Sequence, residues 1–119
     1  MRIKKLAIIA ILALTGLVAV VAAHASLDQC NSNRVCMWGN NDFKWLIGER
    51  APGWGLVNLS GDRNDEMDSW ANRTTINAAA YATSNGDGDC QTFAKVSNNH
   101  NVAFWSSDEV SSWRTNHGC

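Results

Sequence analysis

Asp65-Glu66-Met67-Asp68-Ser69-Trp70 returns forty-three positions later as Asp108-Glu109-Val110-Ser111-Ser112-Trp113. Four of the six residues are identical, Val110 keeps the apolar character of Met67, and Ser111 keeps a side-chain oxygen where Asp68 stood. A self-match at a fixed offset points to two copies of one supersecondary unit. Units at about 30–74 and 75–119 are expected, each ending in its copy of the motif.

The chain upstream of these units has a different character. Arg2, Lys4 and Lys5 precede an apolar run from Leu6 to Val21, broken only by Thr15 and Gly16, and Ala23-His24-Ala25 offers a small-x-small cleavage site. Residues 1–25 therefore read as a secretory signal peptide, and residues 26–119 as the exported, extracellular domain. The run is short for a membrane span, and no basic cluster follows it to stop transfer.

Three of the ten basic residues lie in that leader, so seven Lys and Arg face eleven Asp and Glu in the remainder. A net charge of −4 argues against nucleic acid or an anionic membrane as partner, because both require a basic footprint. A domain this small has a marginal core and needs staples. Its four cysteines, Cys30, Cys36, Cys90 and Cys119, read as two disulfides in an exported chain. Of three possible pairings, Cys30–Cys36 with Cys90–Cys119 is favoured: the first closes a small loop, and the second ties down a C-terminus that otherwise frays. Chain entropy assigns them roughly 2 and roughly 3.5 kcal/mol. The spacing lacks the paired ligands of a zinc site.

Short strands alternate with turns. Val35–Trp38 and Phe43–Ile47 flank the turn Gly39-Asn40-Asn41-Asp42 as a hairpin. Ala51-Pro52-Gly53-Trp54-Gly55 is a turn cluster, and Leu56–Leu59 a short strand. Asn64 or Asp65 is expected to cap a helical turn running toward Trp70. Thr75–Thr83 reads as a strand with a small alanine face against another layer. Gln91–Val96 and Asn101–Trp105 are expected as strands around a turn at Ser97–His100. Asn85-Gly86-Asp87-Gly88-Asp89 resembles a calcium loop only faintly, since Val96 stands at the closing position, and a hairpin turn is the reading preferred. No sustained 3.6-residue apolar period appears and short strands recur about every ten residues, so the fold class is all-β, a sandwich or barrel, and two units of roughly four strands each fit two Greek keys.

With these features in hand, the chain resembles the βγ-crystallin-like domains, and within them the small secreted actinobacterial proteins grouped with the Streptomyces metalloproteinase inhibitor. The crystallin hairpin runs aromatic, four residues, aromatic, one residue, glycine; Trp38 and Phe43 match it, but Trp45 takes the place of the glycine. The crystallin calcium motif, Asn/Asp-Asn/Asp-x-x-Ser/Thr-Ser, is matched by Asn64–Ser69 with Asp68 out of pattern, and by Ser107–Ser112 with Ser107 out of pattern. The resemblance implies a βγ-crystallin-like sandwich in which each motif's terminal serine bonds a folded-over hairpin. It also implies calcium ligands at Asn64, Asp65, Asp68, Asp108 and Ser111, with backbone carbonyls of Glu66 and Glu109. Such hard oxygens suit Ca²⁺.

For function, the same resemblance implies a peptidase inhibitor whose partner is an extracellular protease; the chain is expected to be a non-enzymatic monomer. A rigid loop beside Cys36 or Cys90 is the expected contact, Gly39–Asp42 or Gln91–Lys95. The alternatives are a calcium-binding structural module and a cell-envelope or glycan-binding module; for binding, Trp45 and Trp54 are the tryptophans expected at the surface, whereas the repeated Trp70 and Trp113 read as core plugs. Catalysis is not expected: beyond the leader only His100 and His117 remain, both among turn residues, and no Gly-x-Ser-x-Gly elbow occurs. Asn58-Leu59-Ser60 and Asn72-Arg73-Thr74 are glycosylation sequons.

Overall fold

The computed structural model describes residues 26–103 and 107–119. The expected leader lies outside the described residues, as do Phe104 and Trp105. Among the described residues no helix is long and apolar enough to cross a membrane.

Eight strands run in chain order: β1 Val35–Asn40, β2 Lys44–Arg50, β3 Val57–Asn58, β4 Ser69–Asn72, β5 Ala78–Tyr81, β6 Cys90–Phe93, β7 Ser97–Asn99 and β8 Ser112–Arg114. They form two four-stranded sheets, β2-β1-β4-β7 and β3-β8-β5-β6, in which every pairing is antiparallel. The third strand of each set of four pairs in the other set's sheet, so β3 borders β8 and β7 borders β4. That exchange interlocks two Greek keys.

The core lies between the sheets. Val35, Met37, Ile47 and Trp70 from one sheet meet Ala78, Ala80, Phe93 and Trp113 from the other. Trp70 stacks on Phe93 with ring centroids 4.5 Å apart, and its indole N–H donates to Gln91 Oε1. Both repeated tryptophans are core plugs, as expected. The alanines of β5 leave room for them: Ala80 sits opposite Trp113, and a Cβ on Gly48 of the facing sheet would come within 3.0 Å of the Trp113 ring.

β1 is buried on both faces through Gly39. Its second face is covered by the N-terminal segment, where Leu27 and Cys30 pack with Cys36, Trp38 and Ala71. The disulfides are Cys30–Cys36 and Cys90–Cys119, the favoured pairing.

Three local expectations are corrected. The helical turn expected between Asn64 and Trp70 is a 3-10 turn over Gly61–Arg63, ahead of the motif; Asp65 is left-handed (φ 61°), which ends any helix, and Ser69 already belongs to β4. The turn expected at Ser97–His100 contains β7, because its residues find partners on β4. Asn101–Ala103, expected as the start of a strand, is irregular.

Candidate functional site

The two motif copies face each other. Asp65 and Asp108 are both left-handed, at φ 61° and 57°, a conformation that Asp tolerates better than most residues. It turns the Asp65 N–H onto the Val110 carbonyl (2.9 Å) and the Asp108 N–H onto the Met67 carbonyl (3.1 Å). Met67 and Val110 are equivalent in the repeat, so the copies clasp reciprocally. The next residues repeat the exchange: Leu59 N–H donates to Ser111 O and Val102 N–H to Asp68 O.

The last serine of each copy holds the hairpin of its own unit. Ser69 Oγ donates to Asn40 O (2.7 Å) and accepts from Phe43 N–H (3.1 Å). Ser112 Oγ donates to Thr83 O (2.7 Å) and accepts from Gly86 N–H (3.0 Å). All four partners are related by the same offset of forty-three.

Side chains of the motif form two groups. In one, Ser111 Oγ donates to Asp65 Oδ1 (2.9 Å), and Asn64 Nδ2 reaches Asp65 Oδ2. In the other, Ser107 Oγ donates to Asp68 Oδ1, and Asp68 meets Asp108. The Asp108 carboxyl is pushed above the ordinary aspartate range, first by partial desolvation although its outer edge is exposed, then by the Asp68 charge and their hydrogen bond, then by Glu66. Glu109 stands apart, on the lip of a small cleft with Tyr81, Asp89 and Gln91.

Each group offers carboxylate and hydroxyl oxygens of the kind Ca²⁺ takes. Among the described residues, the one cluster of three Cys, His, Asp or Glu ligand atoms is Cys30, Cys36 and Glu49, whose sulfurs are spent in the disulfide. Either motif group would thus need backbone carbonyls and water to complete a calcium shell.

Trp45 and Trp54 are at the surface, 42% and 62% exposed. Trp45 is left-handed (φ 65°), the conformation the glycine of the hairpin pattern supplies, and its ring lies over Gly39, where a Cβ would fall 2.1 Å away. Trp54 caps a loop over residues 51–55 that is held by Thr115. The Thr115 hydroxyl donates to Ala51 O (2.7 Å) and accepts from Trp54 N–H (3.1 Å). Thr115 N–H donates to Trp54 O (2.9 Å), and Thr115 O accepts from Gly53 N–H (2.7 Å). Arg50 completes the anchorage with bonds to Gly55 O and Trp113 O.

Of the two loops expected beside the disulfides, Gln91–Lys95 does not project: Gln91–Phe93 belong to β6. Residues 39–42 span the end of β1 and its turn, with Asn40 O bound by Ser69. His100 is exposed and pairs with Asp42 at 2.9 Å, while His117 contacts Arg114.

Thr115 was not singled out by sequence, yet a signal for it exists. Two residues past the repeated tryptophan stand Asn72 and Thr115, and both are buried. Asn72 Nδ2 donates to Ile76 O and Phe93 O, and its Oδ1 accepts from Thr74 N–H and Oγ1. Carrying the alignment two places further would have marked both as polar hubs. Asn72, fully engaged, is also unsuited to carry a glycan in the folded chain.

The family model described as peptidase inhibitor family I36 matches residues 23–93, more than half of the chain. No curated protein matches it. Among solved structures, one from work on the evolution of the eye-lens βγ-crystallin domain fold is 13% identical, with a TM-score of 0.59 over 71% of this chain and 87% of that chain. A βγ-crystallin domain from Clostridium beijerinckii is 19% identical, with a TM-score of 0.57 over 68% of this chain and 94% of that one. Another, from Flavobacterium johnsoniae, is 21% identical, with a TM-score of 0.54 over 67% and 90%. At such identities the likeness concerns the fold, which is of βγ-crystallin type.

Proposed function

The chain belongs to peptidase inhibitor family I36, and on that premise we propose that it is an exported, monomeric inhibitor of an extracellular peptidase. Family membership carries the reading. The architecture supports it: two disulfides and the interlocked sheets hold short connecting loops in fixed shapes, so little ordering entropy is lost when a loop meets its target. No catalytic role is assigned to any residue. Export rests on the leader pattern of residues 1–25 and is checked by mass spectrometry of protein from the culture medium, which is expected to begin at Ser26; a chain retained with its leader would contradict it.

Inhibition is tested with the purified chain in molar excess over a thermolysin-type metallopeptidase and a secreted serine peptidase. Loss of activity of one of them is expected, and undiminished activity of both would count against the reading.

One observation favours a second property. Asp68 and Asp108 face each other, and the Asp108 carboxyl is held above its ordinary value first by partial desolvation and then by the Asp68 charge and their hydrogen bond. We propose that Ca²⁺ relieves this repulsion, held by Asp68, Asp108 and Ser107 in one group and by Asn64, Asp65 and Ser111 in the other, with Glu66 and Glu109 contributing carbonyls. Bound calcium would supply structural charge neutralisation. A rise in melting temperature on adding calcium is expected; an unchanged melting curve together with no calorimetric heat would remove the proposal.

A further inference from the structure

We propose that the Trp54 loop is the peptidase-docking element, and that it anchors through the indole side chain without presenting a scissile bond. The inference rests on the inhibitor reading and adds to it a site and the chemistry of its target. Trp54 is 62% exposed, although tryptophan on the surface of a small domain forfeits the burial that makes it useful in a core.

The fold does not require it there. The strand registers set Val57 against Trp113 and Asn99 against the equivalent Trp70, so the place of Trp54 in the other unit is held by Val96, which is also exposed. Neither unit buries a side chain at this place, and the first carries an indole there. Trp is among the side chains that dominate binding energy when they enter a pocket on a partner.

The loop is also prepared for binding. Thr115, fully buried, occupies Ala51 O, Gly53 N–H and both the N–H and C=O of Trp54. Arg50 ties Gly55 to the same strand end, and its guanidinium packs 5.2 Å from the centroid of Trp113. Holding the loop in one shape cuts the cost of association.

Those bonds decide the mode of contact. A peptide segment lying in a protease cleft as a substrate adds to the enzyme's strand edge through its own backbone N–H and C=O. Trp54 has both groups engaged within the domain, and Gly53 is left-handed at φ 89°, so the segment is not an extended strand. What remains available is the indole. Its matching receptor is a deep apolar specificity pocket, as found in peptidases that select bulky hydrophobic side chains.

The test compares the full exported chain, Trp54→Ala and Trp54→Phe against a thermolysin-type metallopeptidase and a serine peptidase of bulky-apolar specificity. Trp54→Ala is expected to weaken inhibition by at least about tenfold, Trp54→Phe by less, with melting temperatures near that of the parent because the side chain is mostly exposed. Prolonged incubation is expected to leave the peptide bonds of residues 51–55 intact by mass spectrometry. If the parent inhibits and Trp54→Ala inhibits equally, the docking assignment fails while the inhibitor reading stands; cleavage within the loop would overturn the side-chain mode. A parent that inhibits neither enzyme, or that sediments with peptidoglycan in a Trp54-dependent way instead, overturns both.

Discussion

Ser69 and Ser112 each satisfy one backbone carbonyl and one backbone N–H of a folded hairpin, with side chains fully buried. Their truncation removes two hydrogen bonds to part-buried backbone groups, each worth about 0.5–1.5 kcal/mol net. Ser69→Ala and Ser112→Ala are each expected to lower stability in urea unfolding by about 1–3 kcal/mol, and to do so by similar amounts because the two sites are copies. A change below 0.5 kcal/mol at either would contradict the clasp. Val96 gives the opposite case: a β-branched residue, 74% exposed, in the left-handed region at φ 51°. It buries little and strains its backbone, so Val96→Asn, which tolerates that conformation, is expected to stabilise by about 1 kcal/mol in the same assay. Trp45 shows how strain is tolerated: it stands left-handed where the hairpin pattern has glycine, and its ring covers Gly39, the residue that must lack a Cβ for the ring to fit.

At the scale of the element, the paired motif is where electrostatics acts. The folded-state pKa of Asp108 is raised above its ordinary value of 3.8. Between those two values the folded chain holds a proton that the unfolded chain has lost, so stability falls as pH rises through that window and stays lower above it. Asp108→Asn is therefore expected to raise the melting temperature at neutral pH and to have no such effect near pH 3, below the unfolded value; equal shifts at both would refute the repulsion. The repeat itself was legible in six residues because it carries a turn aspartate, a core residue, a clasp serine and a core tryptophan, each of which the fold needs at that place. What was not legible depended on distant partners. Ser97–Asn99 has turn composition yet forms a strand, because its ladder lies on β4 in the other unit. Asn64 to Asp68 has the composition of a capped helical turn, yet Asp65 must point its N–H at Val110, and no local pattern states that.

At the scale of the molecule, the exchange of β3 and β7 makes the two units one cooperative body. The second disulfide then closes the chain from β6 to its last residue; replacing Cys90 and Cys119 together by serine is expected to cost up to about 3.5 kcal/mol of stability. The same body fixes the Trp54 loop, since Thr115 belongs to the segment after β8, and β8 is paired to β3, the strand that the loop leads into. The fold was accessible from sequence because turn spacing and repeat agree; the cysteine count gave two disulfides but left three pairings open, and the favoured one is the one formed. The docking loop was only half accessible: Trp54 was named for its exposure, but the buried threonine that makes it rigid lies sixty-one residues away. The most direct measurement is a parallel titration of a thermolysin-type metallopeptidase and a secreted serine peptidase with the chain of residues 26–119, following residual activity and the mass of the chain together. A sharp one-to-one loss of activity of one of them with the chain uncleaved is the expected result; full residual activity of both, or a chain digested as an ordinary substrate, would contradict it.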